Sequence, residues 1–187
     1  MFGLIALVAD ILKTCPRISW RMTGVRVMST DVETATIGFA PDEIDQSAST
    51  RDVPFKWVVV VDQSLPAGRA VNAAVCVAGA TTQRTVGLLG EDAVDADEST
   101  HPGLPWIGCT VLGAPTQRLT DLRRRAVAQP EVAVIDMPTQ AQHTRVYDDY
   151  LFAVGNSRGA DMSYCAVSLF GPRRIIDKLV KGLSLMP

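Results

Sequence analysis

The sequence predicts an α/β domain, a small mixed sheet of about four strands with helices on both faces. Three observations carry that expectation. Short β-branched runs recur at Trp57–Val61, Ile107–Leu112, Val132–Ile135 and Tyr164–Phe170. Between and after them lie longer stretches with apolar residues at helical spacing, so strands and helices alternate. The 187 residues are 47% hydrophobic and 20% charged, which supplies one core and excludes a disordered chain.

Taken in order, residues 1–27 carry four cations against Asp10 alone, and residues 28–55 carry six acids against Arg51 alone. Residues 1–27 are expected to lie outside the folded unit, as a disordered or start-site extension, with Met22 and Met28 as later start points. The acidic segment 28–55 offers one short strand at Thr36-Ile-Gly-Phe-Ala40, and its stretch Gln46–Asp52 is small and polar, as loops are. The core domain is expected over residues 56–187.

Trp57-Val-Val-Val-Val61 is continuous and β-branched, the pattern of a strand buried on both faces. Pro66 stands near the start of an Ala-rich helix over Ala70–Ala80, and Thr85–Leu89 reads as a second short helix. Glu91–Pro105 reads as loop and Ile107–Leu112 as the second strand. Pro115–Ala128 is helical, with Leu119, Leu122 and Ala126 on one face and Arg123-Arg124-Arg125 read as a solvated face. After the strand Val132–Ile135, a helix carries an apolar stripe of Val146, Tyr147, Tyr150, Leu151 and Val154. Tyr164–Phe170 is the fourth strand, and Pro172 opens a last helix striped by Ile175, Ile176, Leu179, Val180 and Leu183.

Composition excludes several functions. The 18 Lys and Arg against 20 Asp and Glu leave a net charge of −2, and residues 56–187 hold 13 of each sign. Nucleic-acid binding, which runs on clustered cations, is not expected. The run Phe2–Ala9 is far short of the about 20 apolar residues that span a bilayer, so no membrane segment is expected. Cys15, Cys76, Cys109 and Cys165 show no CxxC pattern and read as reduced thiols of a cytoplasmic protein. Asp95, Asp97, Glu98 and His101 cluster in a loop, but their spacing matches neither an EF-hand nor a zinc motif, and no metal or cofactor is expected. There is no GxSxG elbow and no phosphate-binding glycine motif.

What remains is a pair of carboxylates, Asp62 and Asp136, each following a strand. If those strands are parallel neighbours, both acids lie at the carboxyl edge of the sheet, where α/β proteins bind ligands. Arg69 and Asn72 begin the helix after the first strand, and Thr139 and His143 follow Asp136. These six residues form the candidate site, with Asp136 as the catalytic candidate. The alternative for both aspartates is a turn cap, a common role for Asp after a strand.

The run Lys56-Trp-Val-Val-Val-Val-Asp62 followed by Leu65-Pro-Ala-Gly-Arg-Ala-Val-Asn-Ala-Ala-Val-Cys76 resembles the opening of the type II peptidyl-tRNA hydrolases. The end, Tyr164-Cys-Ala-Val-Ser-Leu-Phe-Gly-Pro172 and its amphipathic helix, is similar to theirs. Closer still is a resemblance to a bacterial family known only as a domain of unknown function that shares the hydrolase fold. It rests on Lys56–Asp62, Gly68-Arg-Ala-Val-Asn72 and His101-Pro-Gly-Leu-Pro105, and covers about residues 36–187. The resemblance implies that fold. It implies the chemistry poorly: the hydrolases' lysine in the first helical turn falls on Val71 and their histidine on Ala78, while Arg69 matches an earlier lysine and the aspartate is kept as Asp136. The tRNA ester would then lack its cations.

Three functions follow as expectations. The first is a small-molecule-binding protein or hydrolase-like enzyme, with a pocket at the sheet edge near Asp136. The second is a non-catalytic interaction module or homodimer. The third, a true peptidyl-tRNA hydrolase, is the least expected. Whether the chain is an enzyme stays open at this level.

Overall fold

The computed structural model describes residues 37–186, so the expectations for residues 1–27 lie outside the described residues. The main sheet has five strands: β2 (Phe55–Asp62), β6 (Thr110–Ala114), β7 (Ala133–Pro138), β8 (Tyr164–Pro172) and β9 (Ser184–Leu185). Their order is β7-β8-β2-β6-β9. β2 and β6 are parallel, whereas β8 runs antiparallel to both β2 and β7, and β9 antiparallel to β6. The fifth strand, absent from the sequence expectation, is a two-residue edge from the C-terminal tail. It is too short for any periodicity to show.

Helix α1 (Ala67–Arg84) covers one face; α2 (Thr116–Ala126) and α5 (Arg173–Leu179) cover the other. The uninterrupted valines of β2 are explained by this two-sided burial. Val58 and Val60 pack with Leu119, Leu122 and Ile176, while Trp57, Val59 and Val61 pack with Ala70, Ala73 and Val77. Each valine so buried stabilises the fold by about 1.5–3 kcal/mol relative to exposure.

The structure corrects several sequence expectations. Thr85–Leu89 is not a helix: α1 runs on to Arg84, and Thr85–Val86 forms β3, paired in parallel with β1 (Ile37–Gly38). Thr81 and Thr85 donate hydroxyl hydrogen bonds to the carbonyls of Val77 and Thr81, and strand pairing then takes over from helix propensity. The acidic segment is not separate in packing from the core, because Phe39 and Val53 are buried in the α1-side cluster. Composition marks the segment as polar, yet Ile37, Ile44 and Phe55 also pack against this cluster, and Arg173 donates to the Thr50 and Val53 carbonyls. The Glu91–Pro105 loop contains a small hairpin, β4 (Ala93–Val94) and β5 (Thr100–His101). Its turn is held by Asp95 Oδ1, which accepts from the Asp97 and Ser99 amides. β6 starts only at Thr110, after a turn in which Gly108 adopts a φ of 69°.

Two corrections bear on function. β2 and β7 run in the same direction but are not neighbours, since β8 lies between them. The helix expected after Asp136 is split into α3 (Gln140–His143) and α4 (Tyr147–Gly155), and no residue of α4 is buried. Helical periodicity reports an apolar face; it does not say that the same chain covers it. Among the described residues no helix is long and apolar enough to cross a membrane.

Candidate functional site

The site grows from an irregularity in the β7–β8 ladder. Met137 pairs with Ala166 and Pro138 with Tyr164, so Cys165 is the extra residue of a bulge. A bulge shifts the side-chain alternation by one residue. Tyr164 consequently joins the α2-side core, with Val167 and Leu169, while Cys165 joins the α1 side. Asp136 stands opposite Val167 and shares the α2 side. There Arg123 of α2 donates from Nε to Asp136 Oδ2 at 2.9 Å and lies over the Tyr164 ring, 5.4 Å from its centre. Asp136 thus sits inside β7 rather than after it, and its charge is balanced by Arg123. Burial raises the Tyr164 phenol above its ordinary range; Arg123 works against that and Asp136 with it.

Behind this pair, at the free β7 edge, a cavity of about 410 Å³ opens between α1, β7, α3 and α4. Its walls are mainly apolar: Cys76, Val77 and Ala80 from α1, Ile135 and Met137 from β7, and Ala141 from α3. Polar groups come from Asp136, Thr144, Arg145, Tyr147 and Tyr150. Thr144 spends its hydroxyl on the Gln140 carbonyl at 3.1 Å. Tyr147 and Tyr150 face each other with ring centres 5.4 Å apart. Burial first, then Tyr147 and Asp136, holds the Tyr150 phenol above its ordinary range, so it is an O–H donor at neutral pH.

The α3 turn that shapes this cavity is held by polar ties. Gln140 Nε2 donates to Ser157 Oγ at 3.0 Å, and the Thr139 amide donates to the Ser163 carbonyl. Gln142 Nε2 donates to the Arg69 carbonyl at 2.9 Å, linking α3 to the start of α1.

The six residues singled out from the sequence do not form one constellation. Asp136 lines the cavity; Asp62, Arg69, Asn72, Thr139 and His143 do not. Asp62 is buried at the end of β2. Its Oδ1 accepts from the Ser64 amide at 2.9 Å and the Ser64 hydroxyl at 2.7 Å, and its Oδ2 accepts from Thr116 Oγ1 at 2.6 Å. That is the turn-cap geometry, here fastening the first turn of α2. Arg69 and Asn72 are exposed on α1, across the sheet from the Arg123–Asp136 pair. Thr139 Oγ1 shares a 3.2 Å hydrogen bond with Ser163 Oγ, and His143 is exposed at the end of α3. Conversely, Arg145, Tyr147 and Tyr150 line the cavity and Arg123 pairs with Asp136 beside it, although the sequence reads Arg123 as a solvated face and the two tyrosines as an apolar stripe. One signal was available: Arg123 lies four residues after Leu119, hence beside the buried face of α2.

Residues 55–187 match the family described as protein of unknown function (DUF2000). The chain belongs to the DUF2000 family. The DUF2000 chain is also similar to a solved structure, that of the protein of unknown function Atu0240 from Agrobacterium tumefaciens strain C58. The two share 16% sequence identity with a TM-score of 0.66, covering 72% of this chain and 98% of the other. At that identity the likeness speaks for the DUF2000 fold alone. No functionally curated protein matches the DUF2000 chain.

Proposed function

We propose that this DUF2000 protein binds a small organic molecule in the cavity between α1, the β7 edge and α4. The observation that carries the reading is the cavity itself: about 410 Å³, mainly apolar, with a few convergent polar groups. Ligand sites typically enclose about 300–1,000 Å³ and combine apolar walls with a small number of orienting polar atoms. Binding is the primary reading and hydrolysis the secondary one. Hydrolysis would run through Asp136, but its Oδ2 is already engaged by Arg123. Among the described residues no cavity thiol or hydroxyl is hydrogen-bonded to a side-chain base, the pairing that activates a nucleophile.

We also read the fold as related to that of the type II peptidyl-tRNA hydrolases, on the strand and helix motifs at either end of the domain. Their activity is not part of the reading, because Val71 and Ala78 stand where the cationic positions would be and both are uncharged.

A thermal-shift screen of metabolites against the full chain tests the binding reading. Ligands that raise the melting temperature are expected, and Ala80→Trp, which fills the cavity from α1, is expected to abolish their effect. Hits that stabilise Ala80→Trp equally would contradict it.

One observation favours a second reading, self-association. On α4, Tyr147 and Phe152 are 73% and 74% exposed, with Val146 and Leu151 beside them, a concentration of apolar surface that marks contact sites. Under this reading sedimentation equilibrium gives a dimer, and Phe152→Asp gives a monomer. A wild-type monomer at high micromolar concentration would remove it.

A further inference from the structure

The unused polar groups of the cavity point to the chemistry of its ligand. Asp136 and Arg123 neutralise each other at 2.9 Å, and the Thr144 hydroxyl is spent on the backbone. Three groups remain: the guanidinium of Arg145 and the phenols of Tyr147 and Tyr150. Among the described residues Arg145 has no carboxylate within ion-pair distance, Asp148 and Asp149 included. The phenols likewise have no hydrogen-bond partner among the described residues. All three are donors, and the net charge they leave at the rim is positive.

The remaining surface sets the body of the ligand. A cavity of 150 Å³ lined by apolar side chains accommodates a benzene ring, so about 410 Å³ admits a ring with a short chain or a second ring. The tilted Tyr147–Tyr150 pair presents aromatic edges and faces, against which another ring packs favourably. A single guanidinium without a carboxylate partner among the described residues suits a monoanion. A phosphate monoester, with a charge of about −1.5 to −2 at neutral pH, would be left under-neutralised by one guanidinium, and an amine would meet Arg145 unfavourably. Planar bidentate pairing of guanidinium with carboxylate completes the match.

Resting on the binding reading above, we infer that the ligand class is an aromatic monocarboxylic acid. Its carboxylate is held by Arg145 with the tyrosine hydroxyls, and its ring lies against Val77, Ile135 and Met137.

Isothermal titration of the full chain with three probes of one shape tests this: phenylpropanoate, phenylpropanol and phenylpropylamine. The acid is expected to bind about tenfold or more tightly than the alcohol, and the amine weakest. Arg145→Gln, at an exposed position and checked for an unchanged melting temperature, is expected to weaken the acid far more than the alcohol and so remove that preference. Equal binding of acid and alcohol, or an acid affinity untouched by Arg145→Gln, overturns the acid assignment and leaves the binding reading standing. Absence of binding by all three at millimolar concentration, together with no hit in the metabolite screen, overturns both.

Discussion

Replacing Phe39 with alanine is expected to destabilise the protein by about 3–5 kcal/mol, the range for truncating a buried aromatic side chain. Phe39 lies well before the strand at which the family match begins, yet it is 2% exposed. Its ring contacts Trp106 at 4.8 Å, Phe55 at 4.9 Å and Phe170 at 6.0 Å between centres. The backbone holds it there: β1 pairs with β3, and the Phe39 amide donates to the Val86 carbonyl at 2.9 Å. The close approach also explains Gly38, where a Cβ would come within 2.3 Å of the Val86 carbonyl oxygen. Urea denaturation measures the loss, with Asp42→Ala, a solvent-facing change in the same segment, expected to stay within about 0.5 kcal/mol. A loss below about 1 kcal/mol for Phe39→Ala would mean that the segment before β2 does not complete the α1-side core.

Ser168→Ala is expected to cost about 1–3 kcal/mol, far more than the loss of one oxygen from an apolar site, because it leaves the buried Trp57 indole N–H without its acceptor. Ser168 is fully buried on β8, on the side facing α1. Its Oγ accepts from the Trp57 indole N–H at 2.8 Å and lies 2.7 Å from Thr81 Oγ1. Thr81 gives its own proton to the Val77 carbonyl, so the Ser168 proton goes to Thr81. One hydroxyl thereby joins β2, β8 and α1. Trp57→Phe removes the orphaned donor, and in that background Ser168→Ala should cost less. Equal costs in the two backgrounds, measured as a double-mutant cycle by urea denaturation, would show that the hydrogen bond contributes nothing.

The strands at Trp57, Val132 and Tyr164 and the helices at Pro66, Pro115 and Pro172 were legible because each is long or strongly patterned. Strand order was not, since two parallel strands are written identically whether adjacent or separated by a third. That ambiguity misplaced the site. Asp62 and Asp136 read as a pair at one edge, whereas β8 separates them, Asp62 caps the turn at Ser64 and holds the Thr116 hydroxyl, and Asp136 pairs with Arg123. The bulge at Cys165 brings Tyr164 beneath Arg123, and it depends on the pairing of two strands; neither strand's own sequence shows it. Tyr147 and Tyr150 were visible as an apolar stripe. Only the short break between α3 and α4 turns that stripe into the wall of a cavity and not a core-facing helix.

The most direct measurement is a crystal structure of the full chain with a stabilising ligand from the metabolite screen. The ligand is predicted to lie between α1 and α4, in contact with Val77 and Tyr150 and with its polar end at Arg145. A ligand bound instead at the carboxyl end of β2, around Asp62 and Arg69, would contradict the assignment of the site.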